Sequence, residues 1–381
     1  MLTRRNLTAL AAAAVVAPAV AHAPVASAKT AKGGVADPLR DLIVINSLGG
    51  LEDPNKANLD ADAPLSKRVI DDAVASGLTA MNITLGYVSG DAEPFETSVR
   101  GVVSADKMVR EHSDRLTKAL TAADIRRAKA DGKIALIYGF QNAAQMGTQV
   151  DRVDLFADLG VRVVQLTYNP QNQLGGGSMA AATLPLTPFG REVVERLNAR
   201  RVIVDLSHSG QQTCLDTARA SKAPICISHT GCRALNDVPR NKTDEELRLV
   251  ADKGGYVGIY FMPFLADRQI TGDDVCAHIE HAIKVCGEDA VGVGTDGGTT
   301  GIDDMEGWKK AFADQILHRR AMGVSAPGEQ PDRFTFAPDM YGPDQFRILA
   351  RKLAQRGHPP RRIEKVLGGN FLQYAADVWG G

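Results

Sequence analysis

Eight short runs of β-branched and other apolar residues recur along the chain, most of them separated by amphipathic helical stretches, and this alternation constrains the fold more than any other feature. The runs are Leu42–Leu48, Leu78–Leu85, Ile134–Gln141, Val161–Asn169, Arg201–His208, Pro224–Thr230, Gly255–Pro263 and Ala290–Gly297. Continuous apolar runs of this length predict parallel strands covered on both faces. Eight such units predict an α/β chain folded as a single (β/α)8 barrel of the TIM type. A doubly wound sheet would carry GxGxxG after its first strand, and Leu48-Gly49-Gly50-Leu51 does not supply it. Length alone, 381 residues, would allow two domains, but barrels of this kind accommodate insertions and closing helices.

The polar residues fall at the ends of these runs. Asn82, Gln141, Tyr168-Asn169, Ser207-His208, Ser228-His229 and Thr295-Asp296 each close a strand, and barrel active sites are assembled from such C-terminal tips. Ser178–Pro188 reads as a loop, with Thr187-Pro188 opening a helix over Phe189–Ala199. The charged, proline-bearing segment 299–342 follows the eighth strand and reads as an insertion over the barrel mouth. The tail Pro343–Trp379 reads as closing helices.

The first 28 residues stand apart. Thr3-Arg4-Arg5-Asn6-Leu7 places paired arginines before an Ala/Val-rich stretch to Ala23, and Ala26-Ser27-Ala28 offers a small-residue cleavage site. This is the pattern of a twin-arginine signal, which predicts export to the periplasm or beyond. Pro18 and His22 interrupt the apolar stretch, which is too short for a permanent span. The expected organisation is therefore a signal peptide at 1–28 and a barrel at 29–381, with 299–342 as the mouth insertion.

Composition narrows the function. With 44 Lys+Arg against 45 Asp+Glu, the formal charge of −1 excludes a strongly basic nucleic-acid binder. Five cysteines without a CxxC indicate neither a zinc ribbon nor a redox pair and read as buried thiols.

His208 and His229 end neighbouring strands, and two neutral imidazoles in one barrel mouth make half of a metal site. A lone strand-end histidine is more often a hydrogen-bonded structural residue, so context decides. Asp296 adds an acid at the tip of the eighth strand, suited to bind a metal or to take a proton during attack on an amide. The alternative is that it caps the Gly297-Gly298 turn. His278 and His281 lie i, i+3 on a helix that faces the wrong end of the barrel, and read as packing residues.

Taken in order, Asp205-Leu206-Ser207-His208-Ser209, Ile227-Ser228-His229 with Arg240-Asn241, His278-Ile279-Glu280-His281 leading into Val291-Gly292-Val293-Gly294-Thr295-Asp296, and Gly368-Gly369-Asn370-Phe371-Leu372 resemble the membrane (renal) dipeptidase family of the amidohydrolase superfamily. The resemblance runs from about Asp41 to Trp379. It implies a two-zinc site whose bridging hydroxide attacks the scissile carbonyl of a dipeptide. His208 and His229 correspond to ligands of the second metal, Asp296 to the acid that binds the first and shuttles the proton, and Arg240 to the arginine that holds the substrate carboxylate. Family members are often dimeric, and no residue here identifies an interface.

The sequence departs from that pattern at the metal ligands. The family's His-x-Asp pair on the first strand is missing from Val44-Ile45-Asn46-Ser47-Leu48-Gly49-Gly50, its bridging Glu is Gln141, and its histidine after the fourth strand is Tyr168. Removal of these charges disfavours a second zinc ion. One zinc ion, held by His208 and His229 with Gln141 or Asp296 and a water, is the expected cofactor. Tyr168 can donate to an oxyanion or simply stack in the pocket, and Asn46, Tyr168 and Asn169 are candidate substrate contacts. The first expectation is thus an exported dipeptidase-like hydrolase for a small carboxylate-bearing amide. The alternatives are a metal-poor binding protein and a barrel hydrolase acting on a different amide, an ester or a lactone.

Overall fold

The computed structural model describes residues 37–56, 65–321 and 325–380. The expected signal peptide at 1–28 lies outside them. Nine strands alternate with helices: β1 (Ile45–Gly49), α1 (Lys67–Ala75), β2 (Ala80–Thr84), α2 (Pro94–Glu111), β3 (Leu116–Lys118), α3 (Ala122–Ala130), β4 (Ile134–Phe140), α4 (Arg152–Asp158) and β5 (Val161–Gln165). The second half runs α5 (Pro188–Ala199), β6 (Ile203–Asp205), α6 (Gln211–Ala220), β7 (Cys226–Thr230), α7 (Asp244–Asp252), β8 (Tyr256–Ile259), α8 (Gly272–Cys286) and β9 (Val291–Val293). Four further helices follow: α9 (Met305–Ala321), α10 (Gln345–Gln355), α11 (Pro360–Glu364) and α12 (Asn370–Trp379).

Every strand pairing is parallel, in the order β1-β2-β4-β5-β6-β7-β8-β9. Each of the eight apolar runs contributes one of these strands, so the expected (β/α)8 barrel is what forms. β4 is buried at all seven positions, as a strand covered on both faces must be. The additional strand β3 pairs with the first half of β4, while β5 takes the second half, so β3 stays outside the barrel wall. Its three residues, Leu-Thr-Lys, are too few to carry a readable period.

Closure between β1 and β9 relies on a parallel bridge from Gly49 to Gly297 and on side chains. Asn46 donates through Nδ2 to Thr295 Oγ1 (2.8 Å) and accepts from the Thr295 amide (2.8 Å), and the Asp296 amide donates to Leu48 O (2.9 Å). Local sequence sets the helix starts. Thr121 with Asp124 and Thr243 with Glu246 form reciprocal capping boxes, and Thr187 caps α5 ahead of Pro188.

The barrel floor is apolar and plugged. Phe371, Tyr374, Val378 and Trp379 of α12 pack in one cluster with Ile45, Ala80, Ile137, Val163, Ile203 and Tyr256 from the strands. Gly368, just before this helix, meets the Ile43 carbonyl so closely that a Cβ would lie 2.3 Å from it. With the floor sealed, the C-terminal ends of the strands form the open face. All five cysteines are free thiols, four of them buried, and no helix among the described residues is long and apolar enough to cross a membrane.

Candidate active site

A polar layer replaces the apolar one as the strands approach the mouth. Ser47 Oγ donates across the barrel to Ser228 O (2.6 Å) and is also 2.8 Å from Val293 O, space that exists because Gly258 and Gly294 carry no side chain. Gln165 and Asp205 are register partners on β5 and β6. The buried Asp205 carboxylate accepts from the Ser207 amide (3.0 Å), Ser207 Oγ (2.6 Å), the Ser228 amide (3.0 Å) and Ser228 Oγ (2.5 Å).

This arrangement sets the protonation of the two histidines above it. Ser228 gives its hydrogen to Asp205, so its oxygen accepts from His229 Nδ1 (2.8 Å), which must carry the proton. His208 Nδ1 lies 2.7 Å from Asn169 Oδ1, a carbonyl oxygen that also accepts from Ser178 Oγ (2.9 Å), so that nitrogen too is the donor. Both Nε2 atoms are therefore lone-pair nitrogens, and they face each other at 3.0 Å. Burial, reinforced by the Arg240 guanidinium, drives both imidazoles well below their usual basicity and keeps them neutral.

Arg240 is almost wholly buried in the loop between β7 and α7. It donates through Nη1 to Ser207 O (2.7 Å) and through Nη2 to His208 Nε2 (3.0 Å). The loop is pinned from several sides. Its Cys232 amide donates to His278 Nδ1 (2.9 Å), whose Nε2 donates to Leu265 O (2.9 Å), and Asn241 Nδ2 donates to Asn236 O and Phe264 O. Next in the chain, Lys242 forms a buried ion pair with Glu246 (3.2 Å). His278 is thus a packing histidine, as its helix position indicates, and His281 pairs with Asp244 (2.7 Å).

Tyr168 stacks on His208, centroids 4.3 Å apart and planes 21° from parallel. Burial raises its phenol above the usual range and holds it protonated. Asp296 follows β9 with φ at +56°, a backbone conformation rarely adopted by residues other than glycine, and such strain gathers at functional sites. Its carboxyl is pushed up to about 7 by burial, opposed by Arg240 and assisted by Glu52 and Glu329.

Three expected site residues are engaged differently. Asn46, expected to touch substrate, is fully buried and has both amide atoms committed to Thr295 in the closure of the barrel. Asn169 orients His208 from beneath. Gln141 donates through Nε2 to Thr84 Oγ1 (2.8 Å), which leaves its Oε1 as the atom available to a ligand. Three site residues had no role assigned from the sequence. Asp205 carried a signal, an acid two positions before Ser207 on a period-two strand, but Arg319 and Glu329, in the segment between β9 and α10, carried none. They pair with each other (3.1 Å).

Two neutral imidazole nitrogens converge, and they would fit one cation once Arg240 Nη2, which donates to the His208 Nε2 lone pair, gives that lone pair up. Their 3.0 Å separation is close to the roughly 3.3 Å between two ligands of a tetrahedral ion with bonds of about 2.0–2.1 Å. Among the described residues no group of three His, Cys, Asp or Glu side chains converges, at this pair or elsewhere.

Comparisons with known proteins agree with this geometry. A profile of the membrane dipeptidase family, peptidase family M19, matches residues 55–326. An amidohydrolase from Pseudomonas aeruginosa superposes with a TM-score of 0.76 at 34% identity, over 91% of this chain and 99% of that one. An uncharacterized Klebsiella pneumoniae protein from the pqqA 5' region is 30% identical over 221 residues, 55% of this chain and 81% of its own length. Dipeptidase tcpJ of Claviceps purpurea is 31% identical over 272 residues, which is 70% of this chain but 56% of that protein. The profile match spans well over half of the 381 residues, and the chain belongs to the membrane dipeptidase family, peptidase family M19.

Proposed function

We propose that this protein is an exported dipeptidase-like hydrolase that cleaves the amide bond of a dipeptide or a similar small carboxylate-bearing amide, with one zinc ion rather than two. The observation that carries this reading is the pair of neutral imidazoles with facing lone pairs, beside a buried arginine, at the mouth of a sealed barrel.

His208 and His229 would hold the ion, with Gln141 Oε1 or Asp296 and a water as further ligands. When bound, the ion supplies Lewis-acid polarisation of the scissile carbonyl. The remaining work falls to the chain's own groups. Arg240 is a buried donor whose hydrogen bonds go to neutral groups, a carbonyl and an imidazole, and a substrate carboxylate would give its guanidinium a charged acceptor. Asp296, poised near neutrality, takes a proton from the attacking water and returns it to the leaving amine. Tyr168, protonated and fixed against His208, donates to the oxygen on which charge develops.

The test compares hydrolysis of a dipeptide with that of its C-terminal amide. The unsubstituted protein should cleave the free acid, prefer it over the amide, and lose activity in His208→Ala. Arg240→Met should abolish the preference, at a loss of about 10- to 100-fold on the free acid, the range for a hydrogen bond to a charged group. Tight dipeptide binding without turnover, retained in His208→Ala, would favour a binding protein. Turnover of an ester or lactone but no dipeptide would favour the altered hydrolase.

A further inference from the structure

We infer that Lys242 is a positioning residue: it keeps the Arg240 loop in register with the strand tip that carries His208, which frees Arg240 for a substrate carboxylate. The inference rests on the reading of Arg240 as the holder of that carboxylate.

Arg240 and Lys242 lie two positions apart in the loop between β7 and α7, and the carbonyls they hold lie two positions apart beyond β6. Arg240 Nη1 donates to Ser207 O at 2.7 Å and Lys242 Nζ donates to Ser209 O, so the two cations grip the backbone on either side of His208. These grips matter because β6 and β7 share one register pair, Asp205 with Cys226, which lies before the tip. Other ties of the loop run elsewhere. The Lys242 amide donates to Gly231 O (3.0 Å) and Lys242 O accepts from the Arg233 amide (2.8 Å), both within the loop, while Asn241 Oδ1 accepts from the Tyr260 hydroxyl (2.5 Å) just after β8. Arg233 Nη1 reaches Gln211 Oε1 on α6 at 3.4 Å, a longer contact beyond the tip.

A substrate carboxylate changes this balance. A guanidinium that turns toward a charged acceptor loosens its hold on a neutral carbonyl, so the loop loses one grip on the β6 tip when alignment counts most. Lys242 faces no such conflict. Its ammonium is buried, with Glu246 Oε1 at 3.2 Å as counter-ion, and Glu246 is fixed by the α7 capping box, in which Oε2 accepts from the Thr243 amide and hydroxyl at 2.9 Å each. Ser209 is equally firm: its amide donates to Leu206 O (3.0 Å), and its hydroxyl meets Thr167 Oγ1 (3.1 Å). An ammonium carries three donors, so one lysine serves the carbonyl and the carboxylate together. With Glu246 taken by Lys242, Arg240 is the cation of the pair whose hydrogen bonds go to neutral groups.

The experiment uses the full protein. Lys242→Met alone would strand a buried carboxylate, so it is combined with Glu246→Gln, which removes both charges and keeps an acceptor for the capping box. Glu246→Gln alone, Arg240→Met and the triple variant complete the set, each checked for folding by urea denaturation. In steady-state hydrolysis of a dipeptide and its C-terminal amide, the double variant should raise KM for the free acid on the order of tenfold, below the roughly 100-fold that a 1 Å misplacement can cost. Its kcat should stay within about twofold, and its preference for acid over amide should shrink by the same factor as KM grows. Glu246→Gln, which keeps the lysine and its bond to Ser209, should retain that preference within about twofold. Once Arg240 is Met, the double exchange should not reduce the preference further. Calorimetric binding of the dipeptide analogue with a reduced peptide bond, as free acid and as amide, reads the same discrimination without turnover.

A folded double variant that keeps the preference, a loss confined to kcat, or an equal loss in Glu246→Gln would each overturn the proposal. Should the parent hydrolyse no dipeptide yet bind the free-acid analogue more tightly than the amide, with that difference lost in the double variant, the dipeptidase reading fails and the role of Lys242 stands.

Discussion

Removal of one hydroxyl, in Ser228→Ala, tests how the barrel core prepares its imidazoles. Ser228 lies between Asp205 (2.5 Å) and His229 Nδ1 (2.8 Å), and its loss leaves a buried N–H without an acceptor. Such an orphan costs about 1–3 kcal/mol, and the ring has an obvious way to relieve it. If its proton moves to Nε2, it can donate to His208 Nε2, 3.0 Å away, in competition with Arg240 Nη2. That relaxed state has one converging lone pair instead of two, so binding an ion must first reverse the tautomer. The expected penalty, about 1.4–2.7 kcal/mol, corresponds to the 10- to 100-fold loss typical of partners that orient metal-binding histidines. Asp205 keeps three of its four donors in this variant, so the fold should survive, with a urea midpoint close to that of the parent. Calorimetric titration of zinc into chelator-stripped protein at pH 7.5 gives the comparison. A folded variant that binds zinc within twofold of the parent would refute the argument that Asp205 and Ser228 set the tautomer.

Three other perturbations follow from the same structure. Phe371→Ala opens the barrel floor where α12 seals it, and should reduce unfolding free energy by about 3–5 kcal/mol in urea titrations. Gln141→Glu restores a negative charge at the tip of β4 and should tighten zinc binding by about tenfold or more, read by the same calorimetry; unchanged affinity would remove Gln141 from the ligand set. His278 is held neutral by burial, its basicity lowered from 6.5 to about 4, so the unfolded chain binds the proton more readily and stability must fall as pH drops from about 6.5 toward 4. This one residue accounts for about 2 kcal/mol by pH 5. His208 and His229 act in the same direction, so His278→Gln should reduce, without abolishing, the loss of urea midpoint between pH 7 and pH 5.

The barrel was legible because burial on both faces writes a continuous apolar run into each wall strand, and the strand tips were legible because polar residues interrupt those runs where solvent begins. His208 and His229 follow from that logic, Arg240 was expected only from the family resemblance, and the three do meet. Asn46 misled for a physical reason. It sits in the first strand among residues that point to the mouth, but the short β9 leaves the barrel seam without a full backbone ladder, and the Asn46 side chain completes it through Thr295. The Arg319–Glu329 pair was invisible because it joins the end of α9 to the irregular stretch beyond it, and no sequence period relates the two.

The central claim is that this mouth holds a single ion between two imidazoles, despite its membership of a family whose resemblance implies two. Elemental analysis of the purified protein, never exposed to chelator and assayed for dipeptide hydrolysis in the same preparation, tests it most directly. The account expects close to one zinc per chain, lost together with activity in His208→Ala. Two ions per chain, or full activity with none, would contradict it.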